Sequence, residues 1–289
     1  MPERPKNVTG VEKQSRKMFT LMTYNVHSCI GMDGLLSPER VARNIARYQP
    51  DIVALQELDM GGQERGAVDQ AHIIAQHLAM DFHFHSIIQV EEESYGNAIL
   101  SHLPMRLIKA QTLPGLTGPT GQDEKPGYET GYGAGYGKPS NPRHNRQRHE
   151  ERGALWVAVN FYGVELNIIN THLGLNRRER LQQIDCLLSD EWLAHKSCAP
   201  PVILCGDFNA PPVSRVCRRL RKRFDDVQRA AVLHRPRRTF FGRYPTSSID
   251  HIFVSSNINV VDVEVPDSEL GRIASDHLPL ITELYLNSG

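Results

Sequence analysis

Residues 202–209 have the sequence VILCGDFN. Four apolar residues run into a glycine and then present two short polar side chains, Asp207 and Asn209, a pattern typical of a buried strand that delivers polar groups to a cleft. Pro211 and Pro212 follow, so the strand cannot continue. Because Asp and Asn also hydrogen-bond their own backbone, an Asx turn capping a buried strand explains the same residues. The stretch alone leaves both interpretations open.

Other apolar runs along the chain also end in polar residues. They are residues 19–26 ending at Asn25 and Val26, 51–58 ending at Glu57, 95–101 beginning near Asn97, 164–173 ending at Thr171 and His172, 248–254 with Asp250 inside, and 274–280 with Asp276 and His277. A glutamate at the end of an apolar run is costly to bury unpaired, so Glu57 needs a partner or a metal unless it lies exposed just past the strand end.

Helices are predicted between these strands. Ser37, Pro38 and Glu39 are an N-cap, a first-turn proline and a first-turn acid, and they predict a helix that continues to about Tyr48. Apolar spacing predicts further helices over residues 67–80, 177–193 and 213–223, and strands over 82–90, 95–101 and 152–161. The strand over 152–161 and the one that follows the turn at Gly163 are expected to form a hairpin.

The bulk composition is that of an ordinary soluble enzyme. The 289 residues are 40% hydrophobic and 23% charged, with zero formal net charge, so the overall charge gives no argument for a polyanionic partner. The basic residues crowded over 215–223 have the character of a solvated helix face. Five cysteines without a Cys-x-x-Cys pair suit reduced, packed thiols and give no zinc signature.

We expect a cytoplasmic monomer with no stable membrane insertion. The N-terminal segment lacks the apolar region of a secretory signal, and no run approaches the length of a membrane-spanning helix. Residues 1–17 are expected to be a flexible tail and residues 18–289 a single domain. Residues 114–150, with eight glycines and five prolines, are expected to form a flexible insertion, since such a segment buries too little apolar surface to offset its ordering entropy.

The polar residues at the strand ends are rich in oxygen ligands. They comprise four carboxylates, two amides and two imidazoles, namely Asn25, Glu57, His172, Asp207, Asn209, Asp250, Asp276 and His277. Oxygen-rich sites favour Mg²⁺ or Mn²⁺ over zinc. Hydrolysis at phosphorus is the chemistry that such a set supports, with a metal neutralising a phosphoryl oxygen while a carboxylate or imidazole handles a water proton.

The ordered set of motifs resembles the endonuclease/exonuclease/phosphatase superfamily, which includes exonuclease III, pancreatic-type deoxyribonuclease and neutral sphingomyelinase. The motifs are TYNVH, DIVALQE, YGNAILS, NTHLG, GDFN, IDHIFV and SDHLPL, and the likeness covers residues 19–286. The resemblance implies a four-layer α/β sandwich, with two mixed β-sheets packed face to face and helices outside.

The resemblance also implies roles for individual residues. Glu57 looks like the principal metal ligand, supported by Asn25 and Asp276. His277 looks like the histidine that contacts the scissile phosphate, and Asp250 like the carboxylate that orients it. The remaining expectations are water activation by Asp207, phosphate contact by Asn209, a general acid near the leaving group at His172, and substrate contacts from Asn97 and His27.

Two departures bear on the substrate. His27 occupies a position where abasic-site nucleases of the family tend to have Asp, which argues against that branch, and the insertion over 114–150 matches no family element. We expect a Mg²⁺- or Mn²⁺-dependent phosphodiesterase whose substrate is a phospholipid, another small phosphodiester or DNA. The alternatives are a DNA endonuclease or exonuclease proper, and a catalytically silent binding module with the same fold.

Overall fold

The computed structural model describes residues 18–61, 69–90, 93–115, 151–232 and 234–287. The predicted tail over residues 1–17 lies outside this part of the chain, as do residues 116–150 of the predicted insertion. Both expectations therefore stay predictions, and so does the assignment of 18–289 to one domain.

The described residues form two six-stranded mixed sheets with helices outside. The first sheet has the order β11-β12-β1-β2-β4-β3 and the second β5-β6-β7-β8-β10-β9. The strands are β1 (Met18–Asn25), β2 (Ile52–Met60), β3 (Asp81–Val90), β4 (Glu93–Ser101), β5 (Met105–Leu113), β6 (Arg152–Phe161), β7 (Val164–His172), β8 (Val202–Asp207), β9 (Asp225–Asp226), β10 (Asp250–Val254), β11 (Ile258–Glu264) and β12 (Leu280–Leu286). The helices are α1 (Pro38–Ala46), α2 (Gln70–Leu78), α3 (Arg177–Leu187), α4 (Arg215–Leu220), α5 (Val227–Ala230) and α6 (Glu269–Ala274), with a 3-10 turn at His27–Cys29.

The main hydrophobic core lies between the two sheets. Phe19, Leu21 and Ile52 of the first sheet share one buried cluster with Leu155 and Ile203 of the second. Burying a Leu, Ile or Phe side chain is worth about 1.5–3 kcal/mol. This shared core holds the sheets face to face, as the resemblance predicted.

Helices cover the outer faces of both sheets. Val41 and Ile45 of α1 pack with Met22 and Tyr24 on the outside of the first sheet. The second sheet has its own outer cluster, in which Trp156 lies with residues of α3 and α4. The four-layer α/β sandwich is therefore confirmed.

Two parallel strand pairs place the polar strand ends at one edge. β1 runs parallel to β2, and β7 runs parallel to β8 with His172 beside Asp207. The β6 and β7 strands form the predicted antiparallel hairpin. Because parallel strands finish at the same edge of a sheet, the polar residues that end β1, β7 and β8, together with Glu57 inside β2, are brought close together.

Several element boundaries differ from the sequence prediction. The helices predicted over 67–80, 177–193 and 213–223 are shorter, at Gln70–Leu78, Arg177–Leu187 and Arg215–Leu220. The Ser37 cap is confirmed, since its side chain accepts from the backbone N of Arg40. Strands β5 and β11 and helix α6 were not predicted. Most residues of β5 and β11 are exposed or half-buried, so neither strand is a continuous buried apolar run.

Candidate active site

The two carboxylate oxygens of Asp207 have different partners. Oδ1 accepts a 2.8 Å hydrogen bond from the backbone N of Asn209, which is the Asx turn. Oδ2 accepts from Asn25 Nδ2 at 3.0 Å and lies 3.5 Å from His172 Nε2 and 3.7 Å from His277 Nε2. The Asx turn is therefore confirmed, and it fixes a carboxylate whose other oxygen faces Asn25, His172 and His277. The functional role of Asp207 stays a prediction.

Glu57 reaches the cleft through an irregularity in β2. The pairing of β2 with β4 shifts register between Leu55 and Leu58, and Glu57 has a φ of 60°. A left-handed residue inside a strand is typical of a bulge, which re-aims the side chain. The Glu57 carboxylate accordingly accepts a 2.8 Å hydrogen bond from Asn25 Nδ2.

Asn25 links the two acidic residues. Its amide nitrogen donates to both Glu57 and Asp207, and its Oδ1 accepts from the backbone N of His27 at 3.0 Å. The side chain is fully buried at the end of β1. In this orientation Asn25 holds the carboxylates in place as a donor, and its predicted role as a metal ligand stays a prediction.

His277 is held between two aspartates. Its Nδ1 lies 2.9 Å from Oδ2 of Asp250, and its opposite nitrogen, Nε2, faces Asp207. The backbone N of His277 donates to Ser275 Oγ, which itself donates to the backbone O of Asn25 at 2.8 Å. Ser275 thus fastens the last motif to the end of β1.

His172 has buried partners on both ring nitrogens. The guanidinium of Arg152 donates to Nδ1 at 3.1 Å, and Nδ2 of Asn209 lies 3.0 Å from Nε2. Asn209 also donates to the backbone O of Leu173 at 2.9 Å. His172 is therefore fixed at the bottom of the cleft by residues of neighbouring strand ends.

His27 and Asp276 form the outer side of the cleft. His27 Nδ1 lies 3.6 Å from Glu57 Oε2 and 3.7 Å from Asp276 Oδ1. The side chain of His27 is 48% exposed, whereas those of Glu57 and Asp276 are 21% and 18% exposed. This side of the site is open to a ligand.

Asn97 is a predicted site residue that is buried on β4. It lies on β4 beside the register shift of β2, is 1% exposed, and donates to the backbone O of Gly153 at 3.4 Å. These contacts join β4 to β6 across the two sheets. Its predicted contact with substrate stays a prediction.

The charges of the cluster perturb each other strongly. Burial alone would raise the pKa of Glu57, but the nearby imidazoles of His27 and His172 and the hydrogen bond from Asn25 hold that pKa well below its usual value. Burial, followed by the negative charge of Asp250, raises the pKa of Asp207. Glu57 is therefore firmly anionic, while Asp207 is more basic than an ordinary aspartate.

The two buried histidines differ in their protonation. Burial lowers the tendency of His277 to charge, but Asp250 and then Asp207 outweigh it and raise the pKa of His277 to about 10. Burial and the positive charge of Arg152 lower the pKa of His172 well below its usual value. At neutral pH His277 carries a proton on each nitrogen, and His172 is neutral.

Three supporting residues were missed by reasoning from the sequence. Asn170 donates to the backbone O of Leu55 and of Ala98, and accepts from Gln56 Nε2 at 2.8 Å, so it joins β7 to the strand segment that carries Glu57. Arg152 and Ser275 are the other two. Asn170 and Ser275 lie within the motifs NTHLG and SDHLPL, whereas Arg152 begins β6 outside the motifs. A polar residue buried in an apolar strand was the signal available for Asn170.

The sequence profile of the Endonuclease/Exonuclease/phosphatase family matches residues 22–277. The chain belongs to this family. Its members hydrolyse phosphoester bonds in varied substrates and typically use divalent metal ions. Glu57, His172 and Asp207 form one group of side chains close enough to hold a metal ion, and Asp207, Asp250 and His277 form another.

The chain is similar to proteins of known sequence and to solved structures. Uncharacterized protein YbhP of Escherichia coli (strain K12) is 25% identical over 93% of this chain and 96% of its own length. An endonuclease/exonuclease/phosphatase from Beutenbergia cavernae has a TM-score of 0.68 at 21% identity, covering 93% of this chain and 72% of that one. The mannosyl-6-phosphatase Bt3783 of Bacteroides thetaiotaomicron has a TM-score of 0.65 at 18% identity, with 93% and 100% covered. Within the described ranges, no helix is both long and apolar enough to span a membrane.

Proposed function

We propose that this protein is a divalent-metal-dependent phosphodiesterase whose substrate is a phospholipid or another small phosphodiester. The observation that carries the proposal is the position of Asp207, whose Oδ2 faces His277 Nε2 at 3.7 Å and shares the Asn25 amide with Glu57. A base, a cationic hydrogen-bond donor and an anionic metal ligand are thus directed into one cleft, as phosphoryl transfer to water requires.

The donor set fits a magnesium or manganese ion. Glu57 and Asp276 supply carboxylate oxygens at the open side of the cleft, and the low pKa of Glu57 keeps it anionic. Oxygen ligands with free positions for water and substrate are what Mg²⁺ prefers in enzymes. When bound, the ion would neutralise charge on the phosphoryl oxygens.

We assign proton transfer to Asp207 and His277, which are buried. Asp207 is placed to accept the proton of the attacking water, since its pKa is raised and its orientation is fixed by the Asn209 turn. His277, held protonated by Asp250, would donate to the phosphoryl oxygens and is better suited than His172 to protonate the leaving oxygen. His172, kept neutral, would serve in positioning Asp207 and Asn209.

The basic segment around α4 gives limited support to a nucleic-acid substrate. Arg219 pairs with Asp185, Arg221 pairs with Asp226 and donates to the backbone O of Pro212, and Arg223 donates to the backbone O of Leu188. Arginine side chains that are held in these contacts are less available to contact phosphate groups. DNA hydrolysis is therefore the alternative and not the first expectation.

A substrate panel with Mg²⁺ tests the proposal. The panel contains sphingomyelin, cardiolipin, a chromogenic phosphodiester, the matching phosphomonoester, plasmid DNA and single-stranded DNA. We expect turnover of one or more of the non-nucleic phosphodiesters, its loss in EDTA, and its return on adding Mg²⁺ or Mn²⁺. The monoester is included because Bt3783 is named as a mannosyl-6-phosphatase.

Each other outcome of the panel has a defined meaning. Turnover of the monoester alone would replace the diesterase assignment with a phosphatase. Turnover of DNA alone, with the steep salt dependence of phosphate contacts, would favour the nuclease. Full activity in EDTA would contradict the metal role, and inactivity on every substrate would favour a silent binding module.

A further inference from the structure

His27 is held in an unusual backbone conformation directly after β1. Its φ is 50°, and the next two residues, Ser28 and Cys29, have φ of 52° and 55°. Left-handed conformations cost non-glycine residues free energy and persist where the surroundings enforce them. The surroundings here are the backbone hydrogen bond from His27 to Asn25 Oδ1 and the complete burial of Cys29. The chain is thereby turned so that the His27 imidazole lies at the mouth of the cleft.

One nitrogen of His27 faces two carboxylates that come from different parts of the sheet. Nδ1 lies 3.6 Å from Glu57 Oε2 and 3.7 Å from Asp276 Oδ1. Both distances exceed the roughly 2.7–3.2 Å of a hydrogen bond that involves nitrogen. Adjacent ligands of an octahedral ion with bonds of about 2.1 Å are roughly 3.0 Å apart, so His27 Nδ1 is within about 0.7 Å of the spacing expected beside each carboxylate.

We infer that His27 Nδ1 is a protein ligand of the divalent ion beside Glu57 and Asp276, and that it gives the site a preference for Mn²⁺ over Mg²⁺. The inference rests on the proposed metal-dependent function of the same site. Mg²⁺ is a hard ion that favours oxygen, whereas transition ions accept imidazole readily and Mn²⁺ accepts both kinds of ligand. A nitrogen in place of an oxygen therefore weakens Mg²⁺ binding relative to Mn²⁺.

The other histidines of the cleft are less suited to this role. His172 lies 3.9 Å from Glu57 Oε1 through Nδ1, but that nitrogen already accepts from Arg152 and the side chain is 3% exposed. His277 has Asp250 on one nitrogen and Asp207 beside the other. His27, with 48% of its side chain exposed, can move to meet an ion while leaving room for substrate.

Electron spin-echo spectroscopy of bound Mn²⁺ reports directly on a coordinated imidazole nitrogen. The experiment compares wild type, His27→Asn and His102→Asn, whose imidazole is exposed at the far end of β4. We expect nitrogen modulation in wild type and His102→Asn and its loss in His27→Asn. Calorimetry gives the dissociation constants of Mg²⁺ and Mn²⁺ for wild type and His27→Asn. The Mg²⁺ constant divided by the Mn²⁺ constant should be about tenfold smaller in His27→Asn, a change of the size that other metal-site substitutions cause.

The outcomes separate this inference from the proposed function. If wild type binds Mn²⁺ but shows no nitrogen modulation, the assignment of His27 as a ligand is overturned. This measurement uses wild type alone, so it does not depend on the folding of a variant. Modulation retained in a folded His27→Asn would also overturn it and would indicate His172 instead. Wild type that binds neither ion would overturn the metal-dependent function itself, whereas Mn²⁺ binding with diester hydrolysis but no modulation would leave that function standing.

Discussion

The carboxylate of Asp250 lies 2.9 Å from Nδ1 of His277, and both side chains are buried. His277 presents its other nitrogen to Asp207, so Asp250 acts on the charge of both residues. Its negative charge raises the pKa of His277 and also that of Asp207. One buried acid therefore sets the protonation of the two groups to which we assign proton transfer.

The first prediction concerns Asp250→Asn. Activity should rise with pH as Asp207 loses its proton and fall as His277 loses its own, which gives a bell-shaped profile of kcat/KM. Removing the Asp250 charge lowers both pKa values, so both limbs should move to lower pH, by about 1–3 units for the His277 limb. Asp225→Asn, at an exposed position on β9, is the control and should leave the profile unchanged. If the fall in activity at high pH does not move in Asp250→Asn, the group that titrates there is not His277.

The second prediction concerns Asn170, which joins the two sheets. It is fully buried, and its loss would leave the carbonyls of Leu55 and Ala98 and the amide of Gln56 without this partner. Asn170→Ala should lower the free energy of unfolding by about 2–5 kcal/mol, measured by urea denaturation. The control Asn160→Ala removes one exposed hydrogen bond to Gly163 and should cost about 1 kcal/mol or less. Equal effects of the two variants would show that Asn170 is not a strong link between the sheets.

The third prediction concerns Gly206, which precedes Asp207. Its φ is 137°, and a Cβ there would lie 1.8 Å from the backbone O of Thr171 on the neighbouring strand. Gly206→Ala should therefore destabilise the protein by roughly 3 kcal/mol or more, from overpacking together with backbone strain. Gly163→Ala is the matched control, because φ is 84° and nothing lies within 4 Å, so strain of about 1–2 kcal/mol is expected alone. Thermal denaturation measures the loss of stability in both variants. Equal losses would show that the close approach of β7 to Gly206 on β8 adds nothing to the backbone strain.

The sequence was sufficient to predict the strands that end in the cleft. In VILCGDFN and VELNIINTHL, an apolar run followed by polar residues reflects a buried strand with polar residues at its end, and the pattern is local. The same reasoning placed Asn25, His172 and Asp207 at strand ends, where the structure has them. Their convergence required the resemblance to the family, because pairing between distant strands leaves no local pattern.

Other features depend on tertiary contacts. The direction of Glu57 follows from a bulge and a positive φ, and nothing in DIVALQEL requires either. Asn170 and Gln56 meet across two sheets although 114 positions separate them in the chain. Strand β5 is mostly exposed or half-buried and was missed because its formation depends on pairing with β6 and not on apolar periodicity.

The fourth prediction separates the roles of Glu57 and Asp207, which share the Asn25 amide. Glu57→Gln removes the proposed metal ligand, so the Mg²⁺ concentration for half-maximal turnover should rise about tenfold or more. Asp207→Asn removes the proposed base, so turnover should fall by about 10²-fold or more while that concentration stays the same. Both proteins should keep the wild-type circular dichroism spectrum.

The most direct measurement is therefore the Mg²⁺ dependence of phosphodiester turnover in wild type, Glu57→Gln and Asp207→Asn. We predict a higher metal requirement in Glu57→Gln, and a lower maximum at unchanged metal requirement in Asp207→Asn. Wild-type turnover in Asp207→Asn, or an unchanged metal requirement in Glu57→Gln, would contradict these roles of Asp207 and Glu57.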